Sequence, residues 1–470
     1  MPSATKYDAI IIGSGQSGGP LCAALADLGW TVAQIEERHL GGTCINTGCT
    51  PTKTMVHRAQ VAHYARNADR WGVIARDVSV DLPKILAQKD KVVFAARDSK
   101  EKQIAKRPQM HLYRSHARFT GPHQIAVDGA ILESEKIFID TGARPRIPKI
   151  PGIETSGYLT NETIMELPEV PGHLLIVGGG YIGLEFGQMF ARFGSQVTVI
   201  EGGGQIVAHE DPEIASELQR ALEAEGINFL LNTNTTAVER AGESVVLSLE
   251  VTTDLAGIKK TSSGAVTGSH LLVATGRTPN TDTLGLENAG IATDAHGFIK
   301  VNGRLETTVP GVWAMGDVKG GPAFTHISYN DYQIIYANLI EAKNFSIDHR
   351  IVPYAVYTDP ELGRVGLTEK EARAQGYKLK IGSAPMTKVS RAIERDETAG
   401  LMKLVVDATN DQVLGAAILA SEGGEVVHIL YTLMLGKLPY TLLKGPGSMF
   451  IHPTLTEGLF FLMEAVKPVG

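Results

Sequence analysis

The sequence predicts an α/β fold of two similar parallel-sheet units followed by a smaller unit of mixed strands and helices. Three observations predict it. A strand–glycine turn–helix pattern occurs twice, a Thr-Gly segment closes each copy, and the last part of the chain carries neither. At roughly 100–200 residues per domain, 470 residues are also too many for one core. Hydrophobic content of 43% and charged content of 20% are ordinary for a globular protein. A net charge of −7 with no basic block argues against nucleic acid and anionic membrane as partners. No apolar run approaches the ~20 residues of a membrane span. The start, MPSATKYDAIIIGSG, enters a glycine-rich loop at once and is not expected to be a signal peptide. Three cysteines are too few for a secreted disulfide framework, so cytoplasm is expected.

The first copy is YDAIIIGSGQSGGPLCAALADLGWTVAQIEE and the second is HLLIVGGGYIGLEFGQMFARFGSQVTVIEG. Each reads as an apolar strand, a G-x-G-x-x-G turn, an apolar helix and a second strand ending in Glu. The acid follows the first glycine by 23 positions in both. Paired fingerprints in the same context are a strong sign of dinucleotide binding on Rossmann-like units. Gly13 and Gly178 permit the tight turn. Gly15 and Gly180 let backbone approach a pyrophosphate, and Gly18 and Gly183 let helix pack on strand. The helix N-terminus offers free N–H groups to the phosphate, and Glu36 and Glu201 can accept from a ribose diol.

The copies close at IFIDTGARP and LLVATGRTPN, around Gly142 and Gly276. First glycine to closing glycine is 129 positions in copy one and 98 in copy two, so the first copy carries about 31 extra residues. The stretch GGTCINTGCTPTK is the obvious candidate for much of that surplus. Next, GVWAMGDVKGG reads as a strand ending at Gly316-Asp317, and a helix is expected from Phe324 to Leu339. Asp317 at a strand's carboxyl end can bind a cofactor hydroxyl. Beyond about residue 345 the pattern becomes antiparallel strands with helices, and binding a partner subunit is that region's natural role.

Cys44 and Cys49 lie in a cysteine-poor chain, just ahead of Pro51 and the helical run TKTMVHRAQVAHYARN. A thiol at a helix N-terminus is favoured as thiolate, and Lys53 adds positive charge nearby. A zinc site needs four ligands, and only Cys22, placed inside the first helix, with His57 and His63 could supplement the pair. Cys22 reads as a small buried hydrophobe. A dithiol beside two dinucleotide sites implies an electron route from nicotinamide through an intermediate carrier to a disulfide, and a flavin is the obvious carrier.

GGTCINTGCTPTK, GGGYIGLE, ATGRTPN, WAMGDV and IHPTLTE stand in the order found in the class I pyridine nucleotide–disulfide oxidoreductases, which the whole chain resembles. The resemblance implies an FAD domain over 1–150 and 275–345, an NAD(P) domain over 151–274, and a dimerisation domain over 346–470. It implies FAD on Gly13, Gly15, Gly18, Glu36, Thr43, Lys53, Ala117, Thr141, Gly142, Gly316, Asp317 and the Ala323–Phe324–Thr325 backbone. It implies a nicotinamide nucleotide on Gly178, Gly180, Gly183, Glu201, Gly276 and Arg277, with Tyr181 as an aromatic gate. Glu185 corresponds to the partner of Lys53 beside the flavin. Cys49 corresponds to the thiol facing the flavin and Cys44 to the thiol that meets substrate. His452 and Glu457 correspond to an acid/base dyad that reaches the other subunit's site in a homodimer with shared active sites.

Glu201 would repel a 2′-phosphate and GGGQIV supplies no Arg, so NADH is expected, with NADPH the alternative. The first helix lacks the arginine used for glutathione. Phe450 stands where lipoamide dehydrogenases usually carry a first His, although that enzyme stays as an alternative. The ending MEAVKPVG has none of the cysteines of mercuric reductase tails. INTGCTPTKTMVH, WAMGDVKGGPAFTHISYNDY and RAIERDETAG look most like mercuric-reductase-like and reactive-chlorine-resistance (RclA-type) flavoproteins without that tail. The implied acceptor is a small disulfide, a metal ion such as Cu(II) or Hg(II), or another oxidant. An alternative of another class is a non-catalytic redox-sensing flavoprotein. His57 and His63 read as a solvated helix face, with assistance in metal capture as the functional alternative.

Overall fold

A computed structural model describes residues 4–255 and 258–469. The strand Ala9–Ile12 is wholly apolar and buried, as a central parallel strand must be when helices cover both faces. It stands between Ile137–Ile139 and Val32–Ile35, and the sheet continues to Val312–Ala314 on one side and Met110–Tyr113 on the other, all parallel. In the second unit His173–Val177 lies between Gln196–Ile200 and His270–Val273, with Asn228–Leu230 outermost, again all parallel.

The surplus in the first copy is a helical insertion. In the second unit one helix, Pro212–Ala224, joins Gln196–Ile200 to Asn228–Leu230. In the first, the equivalent connection from Val32–Ile35 to Met110–Tyr113 contains Gly42–Asn46, Cys49–Arg66 and Leu82–Ala105. The Cys49–Arg66 helix buries Met55 and Ala59 in a core that also takes Leu184, Phe186 and Phe190 of the second unit and Leu362 and Leu419 of the last. Full burial of each such large side chain contributes roughly 1.5–3 kcal/mol, so this junction fixes the helix that begins with a thiol. The two Thr-Gly segments meet as well: Ala143–Pro145 pairs antiparallel with Arg277–Pro279 where the chain crosses between units.

The last unit is a six-stranded sheet whose central pairings are antiparallel, backed by the Gly423–Leu435 helix and closed by Gly458–Glu464. No helix among the described residues is long and apolar enough to cross a membrane. Ionic contacts dock the second unit on this sheet. Lys403, 2% exposed, pairs with Asp211 at 3.0 Å and Glu369 at 2.9 Å, and also meets Glu213. Arg364 pairs with Glu210 at 3.0 Å with both side chains buried, and Arg192 pairs with Asp359 at 2.9 Å. Deleting one partner of a buried cluster strands the others without compensation. Lys403→Ala is therefore expected to lower stability by about 3–5 kcal/mol, read from equilibrium denaturation. A loss under about 1 kcal/mol would place this cluster with screened surface pairs.

Candidate active site

The carboxyl ends of the first sheet open on a cavity of about 690 Å³. Gly13, Gly15, Glu36, Ala117, Thr141, Gly142 and Asp317 line one part of it, and Thr43, Cys44, Cys49, Lys53, Tyr181, Glu185, Arg277, Ala323, Phe324 and Thr325 line the rest. Ligands of open α/β sheets bind at this edge. Gly13, at φ +104°, is held because a Cβ would lie 2.2 Å from the Asp140 carbonyl oxygen. Gly18 begins the Gly18–Asp27 helix, and Gly316 backs onto the Asp140 carboxyl. The Glu36 carboxylate accepts the Ser14 N–H at 3.1 Å, the Ser14 hydroxyl at 2.7 Å and the Arg38 N–H at 2.9 Å.

The second glycine loop repeats this geometry outside the cavity lining. A Cβ on Gly178 would lie 2.5 Å from the Ala274 carbonyl oxygen, and one on Gly183 would lie 2.2 Å from that of Gly178. Glu201 accepts the Gly179 N–H at 2.7 Å and the Gly203 N–H at 2.8 Å. Both carboxylates thus fold their own glycine loop, at matching positions, before any ribose reaches them. A Cβ at Gly180 would meet nothing within 4 Å, the free approach that a phosphate needs. Gly276, at φ +106°, packs against Arg146. A cavity of this volume, lined by a glycine loop ahead of a helix N-terminus and also by two thiols, fits a flavin dinucleotide.

Cys49 is the first residue of the Cys49–Arg66 helix, and Cys44 lies in the preceding turn of helix, Gly42–Asn46. Both are free thiols. The Cys44 side chain hydrogen-bonds Cys49, which lowers Cys49 to about 6 and, with burial, raises Cys44 far above the ordinary thiol range. Thr325 Oγ1 lies 3.1 Å from Cys49 Sγ and also favours its thiolate, as does the charge of Lys53. Cys49 is therefore an anion above about pH 6 and is protonated below it, while Cys44 keeps its proton.

Lys53 Nζ lies 2.6 Å from Glu185 Oε2 and sits 4.6 Å over the Tyr357 ring. Glu185 Oε1 accepts the Tyr357 N–H at 2.9 Å. Arg277 and Asp317 approach to 3.6 Å, and burial raises the Asp317 carboxyl. Tyr181 rests on Phe324 with ring centroids 5.7 Å apart, and Phe324 stacks on Tyr354 at 5.1 Å. His452 and Glu457 are together but outside this cavity. Both Glu457 oxygens lie 3.0 Å from His452 Nδ1, and the His452 side chain is 64% exposed. His57 is exposed, whereas His63 faces Glu225 at 3.6 Å, so only one of the two is solvated. Among the described residues, no three His, Cys, Asp or Glu side chains converge as a metal cage.

Sequence reasoning missed two features. The Thr325 side chain, beyond its backbone, touches Cys49 across 276 positions, a pairing without local signal. Asp140 lies in the cavity wall, and its signal was the Ala274 that stands at the same place in the second copy. Removing one hydrogen bond to a charged acceptor costs about 1.5–3 kcal/mol, so Thr325→Val should raise the Cys49 titration midpoint by about one pH unit or more. The pH dependence of alkylation of the reduced protein measures it, and an unchanged midpoint would dismiss the Thr325 contact.

Residues 7–331 match the family described as pyridine nucleotide-disulphide oxidoreductase, and residues 352–460 match that family's dimerisation domain. The chain is 37% identical to the probable pyridine nucleotide-disulfide oxidoreductase RclA of Escherichia coli (strain K12), over 98% of this chain and 100% of that protein. It is 36% identical to a mercuric reductase of Lysinibacillus sphaericus, over 97% of this chain and 81% of that one. The solved Cu(II) complex of the HOCl-induced flavoprotein disulfide reductase RclA from Escherichia coli superposes with a TM-score of 0.88 at 36% identity, covering 98% of this chain and 100% of that chain. The chain belongs to the pyridine nucleotide–disulphide oxidoreductases, a family of flavin-dependent enzymes.

Proposed function

We propose that this enzyme oxidises NADH and passes two electrons through the Cys44–Cys49 pair to a small disulfide or a thiophilic metal ion such as Cu(II) or Hg(II). The observation that carries this reading is the asymmetric dithiol: one thiolate and one thiol share a cavity end with the Lys53–Glu185 pair and Tyr181. In this reading 1–150 and 275–345 hold FAD, 151–274 holds the nicotinamide nucleotide, and 346–470 dimerises in the cytoplasm, where thiols stay reduced.

Bound FAD supplies a two-electron carrier between nicotinamide and disulfide. The chain's residues supply placement. Gly13 makes the turn, with its N–H on the Ile35 carbonyl, Gly15 lets backbone approach the pyrophosphate, Gly18 seats the helix whose N-terminus faces it, and Glu36 takes the ribose of the adenosine end. Thr43, Ala117, Thr141, Gly142, Gly316, Asp317 and the Ala323–Thr325 backbone enclose the remainder. Gly178, Gly180, Gly183, Glu201, Gly276 and Arg277 serve the nicotinamide nucleotide, and Tyr181 covers its pocket. Two electrons break the Cys44–Cys49 bond, leaving thiolate on Cys49 and one proton on Cys44. Loss of that proton lets Cys44 attack a disulfide acceptor, forming a mixed disulfide and releasing a thiolate that takes a proton. Cys49 then attacks Cys44, re-forms the Cys44–Cys49 bond and releases the second thiolate, which is protonated in turn. With Cu(II), two ions take one electron each, the S–S bond re-forms, and protons leave to water.

His452, oriented by Glu457, is suited to that proton traffic and serves the cavity of a second copy, since it does not line its own. Exposed apolar side chains next to it in the chain support a partner surface: Met449 is 97% exposed and Ile451 79%. The likeness to RclA and mercuric reductase supports the metal-ion arm of the proposal.

Glu201 carries a negative charge where a 2′-phosphate would lie, so kcat/KM should favour NADH over NADPH by at least about tenfold, roughly 1.4 kcal/mol. Equal values would sink that preference. An acceptor panel of lipoamide, oxidised glutathione, Cu(II) and Hg(II) tests the rest. Cys44→Ser should abolish turnover with all of them. His452→Ala should lower disulfide reduction by about 10²-fold or more while sparing Cu(II), which needs no protonated leaving group. Turnover persisting in Cys44→Ser would refute the dithiol route.

A further inference from the structure

The two nucleotide units differ at one position beneath their glycine loops. Ala274 precedes Thr275-Gly276 in the second unit, and Asp140 precedes Thr141-Gly142 in the first. The backbones are equivalent there, since Gly13 and Gly178 each crowd the carbonyl oxygen of that residue. A carboxyl thus replaces a methyl group directly under the loop that faces the cavity.

Asp140 is 7% exposed and lies in the cavity wall. Its Oδ2 accepts the N–H of Gly18, at the first turn of the Gly18–Asp27 helix, at 2.7 Å. A Cβ on Gly15 would lie 2.7 Å from Oδ2, and one on Gly316 would lie 2.9 Å from Oδ1, so the carboxyl is wedged between the two cofactor loops. The charged groups that act on it most strongly, Asp317, Asp331 and Glu36, are all acids. Asp331 has its own cations, Lys319 at 3.2 Å and Arg350 at 2.8 Å, and Asp317 has Arg277 at 3.6 Å. Glu36 is held by backbone N–H groups. Among the described residues, no Lys, Arg or His pairs with Asp140. Burial, with the charges of Asp317, Asp331 and Glu36, raises its carboxyl well above the usual range, and the Gly18 N–H only partly opposes this.

A helix N-terminus that receives a phosphate dianion cannot hold a second anion beside it without cost. We propose that Asp140 is a positioning residue that makes FAD binding proton-linked: its carboxyl is neutral while FAD occupies the cavity, and its ionisation loosens the cofactor as pH rises. The inference rests on the FAD reading above. As a neutral acid Asp140 braces the glycine loop through Gly18, and as an anion it competes with the pyrophosphate for the same helix end.

The test is FAD binding to flavin-stripped full-length protein, followed by quenching of flavin fluorescence from about pH 6 to about pH 9. The wild-type Kd should rise with pH, by up to about tenfold per pH unit, the limit for one linked proton. Asp140→Asn and Asp140→Ala, the latter restoring the residue of the second unit, should bind FAD with a flat pH profile. Both should retain it better than wild type at the alkaline end. A wild-type profile that is already flat, or a slope that survives in either folded variant, overturns the linkage. If the wild type binds no FAD at any pH, the cofactor reading itself fails.

Discussion

One buried carboxylate gathers the whole molecule. Glu185 sits on the helix that follows the second glycine loop, receives Lys53 from the dithiol helix of the first unit, and accepts the Tyr357 N–H from the last. Its side chain is 4% exposed, so both lone-pair directions must be met by protein. Three segments far apart in sequence therefore converge within hydrogen-bond reach of one residue, and they do so at the end of the cavity that holds the thiols. A buried pair of this kind adds little net stability against an apolar replacement, but its directional bonds leave few alternative arrangements. The placement of Cys49 follows from it, because Lys53 lies one turn along the same helix.

The same economy governs the docking of the second unit. Arg192, Arg364 and Lys403 each cross to an acid on the other side, and Tyr354 joins Glu210 to the stack that supports Tyr181. Apolar packing supplies the driving force through the shared core around Phe186 and Phe190, while the ionic contacts select the orientation. A surface that only needed to stick would not bury so many charges. One that must present an aromatic side chain at a chosen spot over a cavity gains from directional bonds.

Much of this was legible in the sequence because its carriers are local. Glycine spacing, strand hydrophobicity and the Pro after Cys49 each report on the few residues around them, and the repeat made every such signal visible twice. The surplus in the first copy is also where the spacing put it, in helices between two strands. Illegible were contacts set by tertiary packing alone: Thr325 on Cys49 and Tyr357 on Glu185. His63 shows the limit of helical periodicity, since Glu225 of the second unit covers what reads as an outward face. Asp140 belongs between the two groups. Its position was readable by comparing the copies, but its isolation from cations emerged only once Lys319, Arg350 and Arg277 were seen to be engaged elsewhere.

The helical insertion has a further consequence. Its thiols hang between two adjacent strands, and in the second unit the same two strand ends are joined by a single helix. The dithiol is thus carried on a cassette of helices that the equivalent connection of the second unit does without. The unit that lacks the cassette nevertheless contributes Glu185, the residue that pins the cassette down. Any shift of the second unit against the first therefore moves the pin that seats the two thiols, so the two units are held to one relative position by the same bond that fixes the pair.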